Sequence, residues 1–261
     1  MRILISNDDG IYAPGIKSLA ETLATVHDVY VAAPDRERSA NSHALTLNKP
    51  LRAEKVDIFN NVKGAWHING TPADCVKIAL GALLDHEPDL VVSGINRGQN
   101  MGTDVVYSGT VSAAMEGNIL GIPSIAVSLA SFADEHYDTA AKFILKFIEN
   151  FDKNSLPLKT LFNVNVPAVP YEELLGVKIT RLGIHRYIDV IEKREDLRGK
   201  VYYWLGGEPS EKDDEEGTDS DAIKNKFISI TPIHYDLTNY EFMAQLYNWD
   251  LNTSSKTEVK K

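Results

Sequence analysis

The sequence predicts an open, mostly parallel α/β sheet flanked by helices, and three observations carry that reading. Short β-branched runs without polar alternation stand at 2–6 (RILIS), 29–33 (VYVAA) and 90–93 (LVVS), as strands buried on both faces require. Helical periodicities lie between or after these runs, and strand–helix alternation of this kind builds a sheet with right-handed crossovers. The length, 261 residues of which 43% are hydrophobic, suffices for a core that needs no cross-links.

Each element has a local cause. In PGIKSLAETLATV, Ile16, Leu19, Ala20 and Leu23 fall at helical spacing, and Pro14 sits near the helix start, where its missing N–H costs nothing. In TPADCVKIALGALL, Thr71 caps a helix, Pro72 opens it and Asp74 lies three residues beyond the cap. SGTVSAAMEGNILG reads as a third helix leading to a strand at 124–130 (SIAVSLA), and TAAKFILKFIEN as a fourth before LFNVNV at 161–166. Residues 49–70 show no convincing helix and read as a β excursion. From about residue 175 the pattern turns to β in GVKITRL, KVYYWLGG and FISITPI, interrupted by the acidic stretch EKDDEEGTDSD, a solvated loop by its like charges. The tail at 251–261 has no apolar periodicity and is expected to be disordered.

Composition excludes several functions. Lys plus Arg number 27 against 37 Asp plus Glu, and a formal charge of −10 repels a phosphate backbone, so duplex nucleic acid is not expected as a partner. Cys75 stands alone, which rules out an internal disulfide and a cysteine metal cluster and fits a reducing compartment. No run approaches the roughly 20 apolar residues that cross a bilayer, and the start of the chain lacks a signal-peptide core. The expectation is a cytoplasmic protein without membrane partners.

One stretch resists the ordinary reading. SNDDG, directly after the first strand, is a good turn sequence, yet it places two repelling carboxylates, Asp8 and Asp9, side by side. In open α/β sheets ligands bind beyond the carboxyl ends of the strands, where loops meet and helix N-termini point their N–H groups. The loops after the next two strands are also unusually polar: PDRERSANSHALT, and SGINRGQNMGTDVVYSGT with its glycines and asparagines. Each alone reads as an irregular loop; three on one rim point to a site.

Two carboxylates with neutral Ser and Asn oxygens make a hard, all-oxygen shell, which suits Mg²⁺ or Mn²⁺ and turns the carboxylate repulsion into shared attraction to one cation. Zinc is disfavoured, because no two of the seven histidines have ligand spacing. Backbone N–H groups around Ser108, Gly109 and Thr110, at the positive end of a helix, would hold phosphoryl oxygens. Such an ion polarises a phosphoryl oxygen and acidifies bound water. The chemistry indicated is phosphate ester hydrolysis.

With these residues in place, the chain resembles the survival protein E (SurE) family of metal-dependent nucleoside monophosphate phosphatases. The likeness covers nearly the whole chain and rests on MRILISNDDG, APDRERSA, GTPADCV, DLVVSGINRGQN, YSGTVSAAMEG, FNVNVP and ISITPIHYDLT, in family order. The resemblance implies one divalent ion per subunit, Mg²⁺ or Mn²⁺, held by Asp8, Asp9, Ser39 and Asn96. It implies removal of phosphate from 5′- and often 3′-nucleotides, with some members cutting short polyphosphate. It also implies a homodimer or homotetramer formed by C-terminal exchange. The fold it implies is a single Rossmann-like domain over 1–250, with a core at about 1–170 and a β-rich extension and swapped arm at about 175–250. The sequence departs from some relatives at Ala40-Asn41, where glycine often follows the serine, and in the acidic insert at 211–218.

The resulting assignment gives Asp8, Asp9 and Asn96 to catalysis, with one aspartate orienting the attacking water and the choice between them open. Ser108, Gly109, Thr110 and Asn100 are assigned to the phosphate. A haloacid-dehalogenase-type phosphatase would need a second carboxylate two residues after its nucleophile, where Gly10 and Ile11 stand. A non-catalytic nucleotide-binding regulator is the alternative of another class; an acidic metal shell is more than it requires.

Overall fold

The structure is a computed structural model that describes residues 1–133, 135–150, 157, 159–184, 187–209 and 215–249. The tail assigned to disorder at 251–261 and residues 211–214 of the acidic insert lie outside the described residues. Among them the elements run β1 (Arg2–Ser6), α1 (Pro14–Leu23), β2 (Asp28–Pro34), β3 (Ala53–Lys55), β4 (Gly64–Ile68), α2 (Pro72–Ile78) and β5 (Leu90–Arg97). They continue with α3 (Gly109–Ile119), β6 (Ser124–Leu129), α4 (Tyr137–Glu149), β7 (Thr160–Val166), β8 (Val177–Ile179), β9 (Tyr187–Glu195), β10 (Val201–Pro209), α5 (Asp219–Lys224), β11 (Ile228–His234) and α6 (Tyr240–Leu246).

Among the described residues nine strands form one sheet in the order β3-β4-β2-β1-β5-β6-β7-β11-β8. β1 pairs in parallel with β2 on one side and β5 on the other, and β5, β6 and β7 continue in parallel. The β excursion at 49–70 becomes β3 and β4, with β4 parallel to β2 and β3 turned antiparallel at the edge. Strand pleat then sorts the core into two layers. Ile3 and Ile5 of β1 face a cluster containing Ile16, Leu19 and Leu23 of α1 and Ile144 and Ile148 of α4. Leu4, on the opposite face, packs with Cys75 and Val76 of α2 and Ala113 of α3. Each of these β1 side chains is wholly buried, so Leu4→Ala would cost about 2–5 kcal/mol through lost burial and the cavity left behind.

Helix starts follow the sequence signals. Pro14 is the first residue of α1, and Thr71 and Asp74 form a reciprocal capping box on α2. The β-rich end divides in a way that its sequence did not foretell. β11 joins the main sheet antiparallel to β7, with β8 beside it, whereas β9 and β10 form a separate antiparallel hairpin. The reason is burial: Ile228, Ile230 and Ile233 of β11 complete the core along the edge of β7. Among the described residues the hairpin and α6 then stand apart from the sheet as an extension.

The strand order reverses at β1. The chain leaves β1 toward β2 and β4, then returns to β5 on the other side of β1. A crevice at such a reversal is where open α/β sheets bind ligands, because the loops after the two central strands diverge there.

Candidate active site

Asp8 and Asp9 sit in the turn after β1, which Asn7 shapes: its side-chain amide donates to Gly10 O at 2.9 Å, and its oxygen accepts from Gly10 N at 3.2 Å. From the other side of the crevice, Arg97 N at the end of β5 donates to Asp9 Oδ2 at 3.0 Å, and Arg38 N in the loop after β2 donates to Asp8 O at 2.7 Å. Three strand ends are thereby stitched around two carboxylates.

The crevice opens into a cavity of about 530 Å³ whose lining includes Asp8, Asp9, Ser39, Asn96, Asn100 and Ser108. All four residues assigned to the metal thus meet in one place. Asn96 directs its amide nitrogen at Gly98 O, 2.7 Å away, which leaves Oδ1 as the end available to a cation. Ser39 donates its hydroxyl proton to Glu37 Oε1 at 2.8 Å, so its oxygen lone pairs are the part available to a ligand. Among the described residues, no group of three or more His, Cys, Asp or Glu side chains gathers to hold a metal. The donor set is two carboxylates plus neutral oxygens, which suits a hard cation that keeps several waters.

Asp8 is buried, and burial pushes its carboxyl up to about 7, against a lowering hydrogen bond from Thr110 and with further upward push from the charge of Asp9. Burial and the neighbouring Asp9 charge thus both oppose ionisation of Asp8.

The residues assigned to the phosphate divide into two roles. Ser108 lines the cavity and caps α3, its oxygen accepting from Val111 N at 3.1 Å. Thr110 turns its hydroxyl onto Asp8 Oδ1 at 2.5 Å, so its side chain positions the carboxylate and only its backbone N–H is left for an anion. Gly109 lets this first turn approach Asp8: a Cβ there would lie 2.7 Å from the Asp8 Cβ. The first N–H groups of a helix have no partner within it, and here the turn that carries them stands against Asp8. Asn100 is anchored on every side; its amide donates to Ser128 Oγ at 2.8 Å, its N–H reaches Asn165 Oδ1 at 2.9 Å, and its carbonyl accepts from Asn163 and Asn165. It holds the loop after β5 to β6 and β7.

Several cavity residues escaped the sequence reasoning. Glu37 adds a third acidic side chain, and Tyr107 and Phe132 supply exposed aromatic faces. Phe132 follows β6, so extending the rim argument by one more strand end would have found it. Its ring is seated on Gly98, whose backbone has φ +104° and where a Cβ would fall 2.6 Å from the ring.

Fold and crevice define an α/β protein with a polar cavity at the switch point of a parallel sheet, lined by an adjacent aspartate pair and the N-terminus of a helix. The model of the family described as survival protein SurE matches residues 3–189. A 5′-nucleotidase SurE of Thermosynechococcus vestitus is 55% identical over 255 residues, covering 95% of this chain and 96% of that protein. Another, from Carboxydothermus hydrogenoformans, is 51% identical over 253 residues, with 95% and 96% covered. The crystal structure of the SurE protein from Aquifex aeolicus superimposes with a TM-score of 0.82 at 43% identity, over 95% of this chain and 99% of that one. The chain belongs to the SurE family.

Proposed function

We propose that this protein is a metal-dependent 5′-nucleotidase, a hydrolase that releases phosphate from nucleoside 5′-monophosphates. The convergence of Asp8, Asp9, Ser39, Asn96 and Ser108, the N-cap of α3, on one cavity carries the reading. The names of the similar proteins support it. Asp8, Asp9, Ser39 and Asn96 would hold one Mg²⁺ or Mn²⁺, which when bound supplies Lewis acidity and a more acidic water. Asp8 and Asp9 set the negative charge of the site, and one of the two orients the attacking water by accepting its hydrogen bond. The N–H groups of Gly109 and Thr110 hold phosphoryl oxygens as charge builds on them, and Asn96 steadies the same group; Ser108 N, assigned to the phosphate with them from the sequence, donates instead to Val105 O at 3.3 Å because the turn before α3 closes on it. Tyr107 and Phe132 offer flat faces to a nucleobase, whose stacking tolerates any base.

Assembly as a homodimer or homotetramer through C-terminal exchange is the matching proposal for the extension. The β9–β10 hairpin exposes Ile191, Trp204 and Leu205, and α6 with the turn after it exposes Phe242, Tyr247 and Trp249, apolar surface that a second copy would cover. A reducing, cytoplasmic setting agrees with the free, buried Cys75. No helix among the described residues is long and apolar enough to cross a membrane.

The test is release of free phosphate from AMP and GMP with Mg²⁺ or Mn²⁺, against a chelator control. Turnover abolished by the chelator is expected. Nucleotide binding without turnover would favour the regulator, and trapping of an aspartyl-phosphate would favour the covalent phosphatase.

A further inference from the structure

The loop from 35 to 52 that carries Ser39 has no regular secondary structure, and two of its non-glycine residues adopt left-handed backbone, Ala40 at φ 56° and Ser42 at φ 50°. Side chains crowd the backbone there, so such a conformation persists only where contacts outside the segment hold it. Before Ala40 the loop is held by Arg38 N on Asp8 O, and after it by a further set of contacts. Ser42 N donates to Tyr107 O at 3.1 Å and Ser42 Oγ to Val106 O at 2.9 Å. Thr71 Oγ1 donates to Ala44 O at 2.7 Å, and Thr46 N to Asp74 Oδ1 at 3.0 Å. Between these anchors, His43 Nε2 donates to Glu116 Oε2 at 2.8 Å.

Glu116 is an unusual anchor. It lies two turns into α3, almost wholly buried, and its second oxygen accepts from Lys77 Nζ of α2 at 2.6 Å. A buried carboxylate needs such partners to remain charged. The bond from His43 is the largest influence on it and, with Lys77, holds its carboxyl below the ordinary range despite burial. Neither Glu116 nor His43 borders the cavity, yet the helix that contains Glu116 is capped at its other end by Ser108, which lines that cavity. One rigid element thus carries both the anion-facing turn and the clamp on the Ser39 loop.

We propose that Glu116 is a positioning residue for the reaction, holding His43 and through it the Ser39 loop in fixed relation to the first turn of α3. The inference rests on the reading of Ser39 and Asp8 as metal ligands. Its consequence is that metal affinity depends on a pair that never touches the metal, as it does for the outer partners of other metal ligands. Lys77 shares the carboxylate but not the loop, so it separates positioning from simple support of the fold.

The experiment titrates Mn²⁺ calorimetrically into the metal-free full-length wild type and the variants His43→Ala, His43→Gln, Lys77→Met and Asp8→Asn, with thermal melts and AMP kinetics in parallel. His43→Ala should weaken Mn²⁺ binding by about tenfold or more and raise the KM for AMP. His43→Gln, which can still donate to Glu116, should recover most of the affinity, and Lys77→Met should bind within about twofold of wild type however its melting point moves. Wild-type affinity in His43→Ala, or an equal loss in Lys77→Met, would overturn the proposal while leaving the site reading intact. Unchanged Mn²⁺ binding in Asp8→Asn would instead overturn the site reading, and the positioning role with it. Glu116→Gln, which weakens the same bond without changing side-chain shape, carries the comparison if His43→Ala does not fold.

Discussion

The Thr110 hydroxyl donates to Asp8 Oδ1 at 2.5 Å and so joins the first turn of α3 to the turn after β1. The bond favours the ionised carboxylate, opposing the burial that disfavours it. Thr110→Val keeps the volume and removes the donor. The Asp8 carboxyl should then rise further, and Mn²⁺ affinity at neutral pH should fall by about tenfold, as read by calorimetric titration.

The elevated Asp8 carboxyl makes metal binding and stability depend on pH in opposite senses. With a folded value of about 7 against 3.8 for the free side chain, the metal-free folded chain holds a proton that the unfolded chain releases. That contribution to stability is present at the low end of this window and is lost as pH rises from about 4 through 7. Metal must displace the same proton, so Mn²⁺ affinity should climb by about tenfold per pH unit below 7 and flatten above it. Titrations across that range check the slope.

Asp8→Asn isolates the same cost from the chemistry. Above pH 7 the metal-free wild type buries an unpaired negative charge beside Asp9, and the amide does not. The metal-free variant should therefore melt higher than wild type near pH 8 and close to it near pH 5, while phosphate release is lost. A variant that loses activity by unfolding would melt lower at both.

Ala40 has a φ of 56°, the conformation that glycine adopts without crowding. Ala40→Gly removes the steric cost but gives the unfolded chain more freedom. The balance should be a gain of about 0.5–1 kcal/mol in urea unfolding, with activity retained because the loop keeps its shape.

How much of the fold and site was legible depends on how local the cause is. β1, β2 and β5 announce themselves because strands buried on both faces must be apolar at consecutive positions, and Thr71 announces α2 because capping is a four-residue event. Asp8 and Asp9 stood out as polar residues at the end of such a strand, whereas the choice of Ser39 and Asn96 within the next two polar loops came from the family resemblance. The direction of the Thr110 hydroxyl was not legible, since YSGT specifies a helix start but not what the second residue will meet from a strand about a hundred positions earlier. The split of the C-terminal part was hidden for a similar reason. FISITPI and KVYYWLGG both read as strands, and only the open edge of β7 decides that β11 enters the sheet while β10 pairs with β9.

Phe132 supplies the test of how the substrate's base is held. It is 75% exposed, its ring rests on Gly98, and it borders the same cavity as Asp8 and Asn96. A large aromatic left this open has no packing role to lose, so Phe132→Ala should leave the melting point nearly unchanged. Stacking of a base on an aromatic ring contributes about 1–3 kcal/mol, so the KM for AMP and GMP should rise by roughly tenfold with little change in kcat. A phosphate ester without a base should show no such change, because it never used the ring. Equal losses for both substrates would mean instead that Phe132 shapes the loop over Gly98 and the metal ligands behind it.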